Sequence, residues 1–241
     1  MKRPLLTALL AALVLAIAGI VVVAAGGSGE PTTEQVDATP EPSRAAAVPE
    51  DAAHAVFAGG CFWCMEEAFE IVPGVYEAVS GFAGGTVSNP SYQAVVSGTT
   101  GHYEVVRVFY DPEAITYEEL LYVFWRNVDP LDDGGQFCDR GTAYRAAVFY
   151  STEIERELAE ASLLELKASG RFASPIVTEI RSLRASTDES HDGFWPAEEY
   201  HQNYYLENPV RYRFYKESCG RTRRLRQLWG EEAGAPDYRR A

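Results

Sequence analysis

The chain has 241 residues, 46% hydrophobic and 12% aromatic, which is ample for one packed domain with appendages. A formal charge of -14 excludes the broad basic face that nucleic-acid binding requires. The one basic run, Arg221 to Arg226, reads as the solvated face of a C-terminal helix.

Residues 1–25 carry Lys2 and Arg3 and then an uncharged Leu/Ala/Val run, which predicts a signal peptide or an N-terminal membrane anchor. Val23-Ala24-Ala25 offers a small-residue cleavage site, and in either case the positive residues stay in the cytoplasm while the body is exported. Residues 26–53 are rich in Gly, Pro, Thr, Ala and Glu and predict a disordered linker. The folded domain is expected over 54–241. Its expected place is periplasmic or extracytoplasmic, with residues 4–25 as the route to the inner membrane.

Within that domain, Ala55 to Ala58 predicts a short strand leading into Gly59-Gly60-Cys61. Met65, Phe69 and Val72 then follow at helical spacing until Pro73-Gly74 stops the helix. A cysteine at a helix N-terminus meets unpaired amides and the positive end of the dipole, which favour the thiolate nucleophile. Cys64, three residues on, completes C-x-x-C, a pattern that supports thiol-disulfide exchange. Phe62 and Trp63 offer walls for an apolar or soft substrate group. No second C-x-x-C or nearby histidine pair completes a zinc site.

Val75 to Ala83 predicts a strand, and Asn89-Pro90-Ser91-Tyr92 a turn that leaves Tyr92 on an irregular segment. Tyr103 to Tyr110 is the clearest strand, with Glu104 at the end of the face that carries Val106, Val108 and Tyr110. Two readings of Glu104 stand: a strand-end carboxylate in solvent, or a buried carboxyl kept protonated and fit to act as an acid. Thr116 to Glu119 has capping-box spacing ahead of a helix ending before Asp129-Pro130.

A glycine-containing loop then carries Cys138 and Asp139 into a strand predicted over Ala143 to Tyr150, which includes Tyr144. A helix from Thr152 to Ser169 is expected to bury Ile154, Leu158, Ala161 and Leu164. Pro175 to Leu183 predicts another strand, and Ala197 to Asn208 a helix in which His201 is a structural, hydrogen-bonded residue. The mixed order predicts an α+β two-layer sandwich with helices packed on a mixed sheet.

G-G-C-F-W-C-M-E-E-A-F, G-V-Y-E-A-V-S-G-F-A-G-G, N-P-S-Y, S-G-T-T-G-H-Y-E, Y-D-P, D-R-G-T-A-Y-R and A-E-E-Y-H-Q occur in that order. From about Ala55 to Arg211 the chain resembles the A-type peptide-methionine sulfoxide reductases. The resemblance implies Cys61 as nucleophile and Phe62 and Trp63 as the pocket for the sulfoxide methyl group. It implies Glu104, Tyr92 and Tyr144 as the groups that hold and protonate the sulfoxide oxygen, and Asp139 as a contact to the substrate backbone side.

The implied reaction turns the S epimer of methionine sulfoxide, free or in oxidised peptides and proteins, into methionine and a sulfenic acid on Cys61. A thioredoxin-like dithiol then recycles the enzyme through a disulfide, with no metal and no organic cofactor. A monomer is expected. The chain has Cys64 where the family more commonly has Gly, Phe82 where it has Tyr, and Ala143 and Ala146 where it has Gln and Ser. It also lacks the Gly-rich cysteine tail. Cys219, Cys64 and Cys138, in that order, are the candidate resolving cysteines. A thioredoxin-like oxidoreductase using Cys61 and Cys64, and a tethered binding module with paired cysteines, are the competing readings.

Overall fold

The computed structural model describes residues 47–184 and 191–235. The expected signal or anchor at 1–25, and residues 26–46 of the expected linker, lie outside them. Among the described residues no helix is long and apolar enough to cross a membrane.

The first strand, β1 (Ala53–Gly59), sends Ala55 and Phe57 into the main core and Val56 and Ala58 into a smaller cluster on the other sheet face. Gly60 turns the chain with φ of 83°, and a Cβ there would strike Gln136, so both backbone and space call for glycine. Helix α1 (Phe62–Glu70) follows with Met65 and Phe69 fully buried. Strand β2 (Val75–Ala83) occupies its predicted span.

Tyr92 departs from its expected irregular segment. It opens a short helix, α2 (Tyr92–Val96), because the Ser91 side chain accepts from the Ala94 amide and caps it. Strand β3 (Tyr103–Tyr110) pairs with β1 and β2. Helix α3 (Tyr117–Arg126) starts at the predicted capping box, with Thr116 and Glu119 bonding each other's backbone amides.

The loop that follows holds a two-strand ladder, β4 (Gly135–Gln136) and β5 (Asp139–Arg140). Tyr144, expected in a strand, lies instead on a 3-10 turn at Thr142–Tyr144, and β6 (Ala146–Tyr150) begins only afterwards. Helix α4 (Glu153–Ala168) keeps its expected span but not its expected inner face. Ile154 and Leu164 are 70% and 63% exposed, and the helix docks through Ala159, Leu166 and a Trp125-to-Ser162 hydrogen bond of 3.0 Å.

The strand expected over Pro175 to Leu183 shortens to β7 (Glu179–Ser182), since the Val177 amide bonds the Pro130 carbonyl rather than the sheet. After β8 (Phe194–Pro196), the helix expected over Ala197 to Asn208 is broken in two. A 3-10 turn spans Glu199–His201, and α5 (Tyr204–Glu207) begins after Asn203, whose φ is 53°. The Gln202 amide causes the break, because it bonds both the Ser80 amide and carbonyl and so pins this segment to β2. Helices α6 (Pro209–Ser218) and α7 (Arg221–Trp229) follow, and a 3-10 turn at Gly230–Glu232 comes after them.

The main sheet runs β7-β6-β1-β3-β2-β8, antiparallel except for the parallel pair of β6 and β7. Helices packed on this mixed sheet give the expected α+β sandwich.

Candidate active site

Where β1 hands over to α1, Cys61 is the helix N-cap, and its carbonyl accepts from the Cys64 and Met65 amides. The free first amide of the helix, from Phe62, donates to Glu104 Oε2 at 3.0 Å. Of the two readings of Glu104, the buried one holds, with 1% of the residue exposed. Burial raises its pKa well above the ordinary carboxyl range and so favours the protonated form, with that amide bond opposing the shift.

Tyr92 and Tyr144 hydrogen-bond each other beside Glu104. Burial first, and the nearby carboxyl second, push the Tyr92 phenol to about 12 and raise Tyr144 further, so both hydroxyls stay protonated donors. The indole of Trp63 stacks on Tyr204 at 3.7 Å and donates its N–H to His201 Nδ1 at 3.2 Å. Phe62 lies 6.4 Å from Trp63 and 6.2 Å from Tyr92 between ring centres. The set joins a nucleophilic sulfur, a neutral acid, two phenols and an aromatic wall.

Cys61 and Cys64 are both free and buried, and they pack in one cluster with Tyr204, Tyr205 and Tyr212. One turn of helix thus brings Cys64 toward Cys61 rather than pointing it away along the axis. Burial and the neighbouring Cys64 push the Cys61 thiol up. The bond from Cys61 draws Cys64 down to about 7, aided by the charges of Arg221 and Lys216 and by Tyr212. The two thiols therefore titrate as a pair, with Arg221, Lys216 and Tyr212 favouring negative charge on the Cys64 side.

The other two cysteines form a disulfide, Cys138–Cys219, with a Cα separation of 4.9 Å across 81 residues of sequence. Cys138 is exposed on the loop before β5, and Cys219 is the C-cap of α6. Asp139 touches both sulfurs at 3.9 Å and accepts from the Tyr215 hydroxyl, which in turn hydrogen-bonds Cys61.

Arg221 corrects the solvated-face reading of the basic run. Only 3% exposed, its guanidinium donates to the Gly59 carbonyl at 2.9 Å, the Asn127 carbonyl at 3.0 Å and the Met65 sulfur at 3.0 Å. These contacts from one buried guanidinium nitrogen tie α7 beneath the nucleophile turn. Sequence reasoning also passed over Tyr204, Tyr212 and Tyr215. The signal for the last two was available: aromatic residues three apart on a helix that is otherwise charged. His201 accepts the Trp63 indole N–H and lies on a 3-10 turn rather than in the expected helix.

A family model described as "Peptide methionine sulfoxide reductase" matches residues 53–233. The chain is similar to peptide methionine sulfoxide reductase MsrA of Halalkalibacterium halodurans, 49% identical over 177 residues that cover 73% of this chain and 96% of that protein. It is 48% identical to the Bacillus subtilis protein of the same name, covering 73% and 95%. Among solved structures it resembles methionine sulfoxide reductase A of Corynebacterium diphtheriae, with TM-score 0.59, 32% identity and coverage of 71% and 84%. The reduced form of Mxr1 from Saccharomyces cerevisiae also has TM-score 0.59, at 30% identity, with coverage of 67% and 88%.

Proposed function

The chain belongs to the peptide methionine sulfoxide reductase family, enzymes that reduce methionine sulfoxide with thiol electrons, and on that premise we propose an allocation of roles within the site. The observation that carries it is the convergence of Cys61, the buried carboxyl of Glu104 and the Tyr92-Tyr144 pair at one helix N-terminus.

The sulfur of the substrate is attacked by Cys61 while its oxygen takes a proton from Glu104, steadied by the two phenols. Stabilising the oxygen as it leaves lowers the barrier because the donors are fixed before reaction. The S–O bond breaks, a bond from oxygen to Cys61 replaces it in the net reaction, and methionine and a Cys61 sulfenic acid result. Phe62 and Trp63 receive the methyl group, with Trp63 held by Tyr204 and His201. Asp139 meets the backbone side of the residue. The electrons come from an external dithiol, thioredoxin being the partner proposed, and not from a bound cofactor.

The full chain, given racemic methionine sulfoxide and dithiothreitol, is expected to consume the S epimer and leave the R epimer. Consumption of R alone, or of neither, contradicts the reading.

We also propose that the protein acts outside the cytoplasm as a monomer, exported or held to the membrane by residues 4–25. The apolar run after Lys2 and Arg3 supports export or anchoring. Cell fractionation that finds the chain in the cytosol sinks it.

A further inference from the structure

Resting on the reductase reading above, we propose that Cys64 resolves the Cys61 sulfenic acid, and that Cys138 and Cys219 form an outer pair that takes over the oxidation and presents it to the external dithiol.

Position favours Cys64. As N-cap and third residue of α1, Cys61 and Cys64 share one side of the first turn and lie in one buried cluster. Tyr204, Tyr205 and Tyr212 close around them. A sulfenic acid formed on Cys61 therefore has the Cys64 sulfur as its neighbour in the same buried cluster. Cys219 is placed differently: it is bonded to Cys138, and the Asp139-Tyr215 pair links that disulfide to Cys61.

Ionisation agrees with position. The Arg221 and Lys216 charges and the Tyr212 hydroxyl support negative charge on Cys64. That thiolate first accepts the Cys61 proton as Cys61 attacks the sulfoxide. It then loses the proton again as its sulfur displaces hydroxide from the sulfenic acid.

Exposure explains why a second pair is needed. Cys61 and Cys64 are 6% and 3% exposed, too enclosed for the sulfur of a protein dithiol, whereas Cys138 stands at the surface. The steps balance. Cys61–SOH and Cys64–SH give the Cys61–Cys64 disulfide and water. The Cys138 and Cys219 thiols then reduce that disulfide to two thiols and become a disulfide themselves. The external dithiol finally reduces Cys138–Cys219 and is oxidised to its own disulfide. The structure holds the state reached after the second step, with the inner pair free and the outer pair bonded.

The test uses the full chain, reduced, freed of reductant and given one equivalent of methionine S-sulfoxide. Methionine is measured, disulfides are mapped by mass spectrometry, and sulfenic acid is trapped with dimedone. The wild type is expected to release one mole of methionine per mole and to end as Cys138–Cys219. A C138S/C219S double variant is expected to stop at Cys61–Cys64 with no dimedone adduct. C64S, with C64A as a second variant against packing effects, is expected to accumulate at least tenfold more Cys61 adduct than wild type.

A persistent adduct in the double variant overturns the assignment. So does a Cys61–Cys219 or Cys61–Cys138 bond that forms in both Cys64 variants as fast as the outer disulfide forms in wild type. Absence of methionine from the wild type would instead refute the reductase reading itself, so the two failures are distinguishable.

Discussion

The two sulfur pairs of this molecule are built on opposite plans. The inner pair lies three residues apart on one turn of α1, enclosed by aromatic rings and beside the buried charge of Arg221. The outer pair joins residues 81 apart, one on a loop at the surface and one at the end of α6. The first plan governs protonation state and excludes water from the reacting sulfur. The second governs access, since a partner dithiol must align its sulfur with the disulfide it reduces. One sulfur pair does not serve both needs well, because enclosure strengthens electrostatics and also blocks a protein-sized partner.

The sharpest way to break this contrast is Cys61→Ser. Turnover of the S epimer is expected to fall about 10³-fold or more, with the circular dichroism spectrum unchanged; retained activity would place the chemistry at the outer pair. Glu104→Gln comes next, with an expected loss of about 10²–10³-fold in the single-turnover rate and no effect on reduction of Cys138–Cys219 by dithiothreitol.

The pH dependence separates the inner pair's two proton demands. The rate is expected to rise through about 7 as the cysteine pair yields its thiolate. It is expected to fall at higher pH where Glu104, whose pKa is raised, gives up the proton the oxygen needs. Glu104→Gln should lose the falling limb and keep the rising one. A falling limb that survives the substitution assigns it to another group.

The smallest effect on turnover is expected from Arg221→Leu. Two buried carbonyls lose their donor, at a cost of about 1–3 kcal/mol each, read by urea unfolding. The rising limb should move to higher pH as the charge that favours the Cys64 thiolate disappears. Arg221→Lys, which keeps the charge but not the fork, should restore the limb more fully than the stability. A limb that stays in place in the leucine variant removes Arg221 from the sulfur chemistry.

What could be read from the chain alone follows the range of each interaction. The strand, the glycine turn, Cys61 and α1 are local and were legible, as was the capping box of α3. Glu104 was half legible. Alternation puts it on a face, but whether that face is sealed depends on α1 donating an amide to it from 42 residues away. The Cys138–Cys219 bond left no trace, because no periodicity links a loop to a helix end 81 residues later. Arg221 was hidden by its neighbours: one buried arginine in a basic run looks like the others until a carbonyl is found facing it. The break at Asn203 escaped for the same reason, being imposed by the grip of Gln202 on β2.

Met65 carries a consequence of its own. It is one of only two methionines in the chain, and it lies beneath the nucleophile turn of an enzyme whose substrates arise wherever oxidants reach thioethers. No part of it is exposed, an Arg221 N–H occupies its sulfur at 3.0 Å, and Gly59 leaves no room beside it. Oxygen added to that sulfur would face both a buried donor already in place and a packed backbone. The repair enzyme thus keeps the thioether at its own centre out of reach of the damage it reverses.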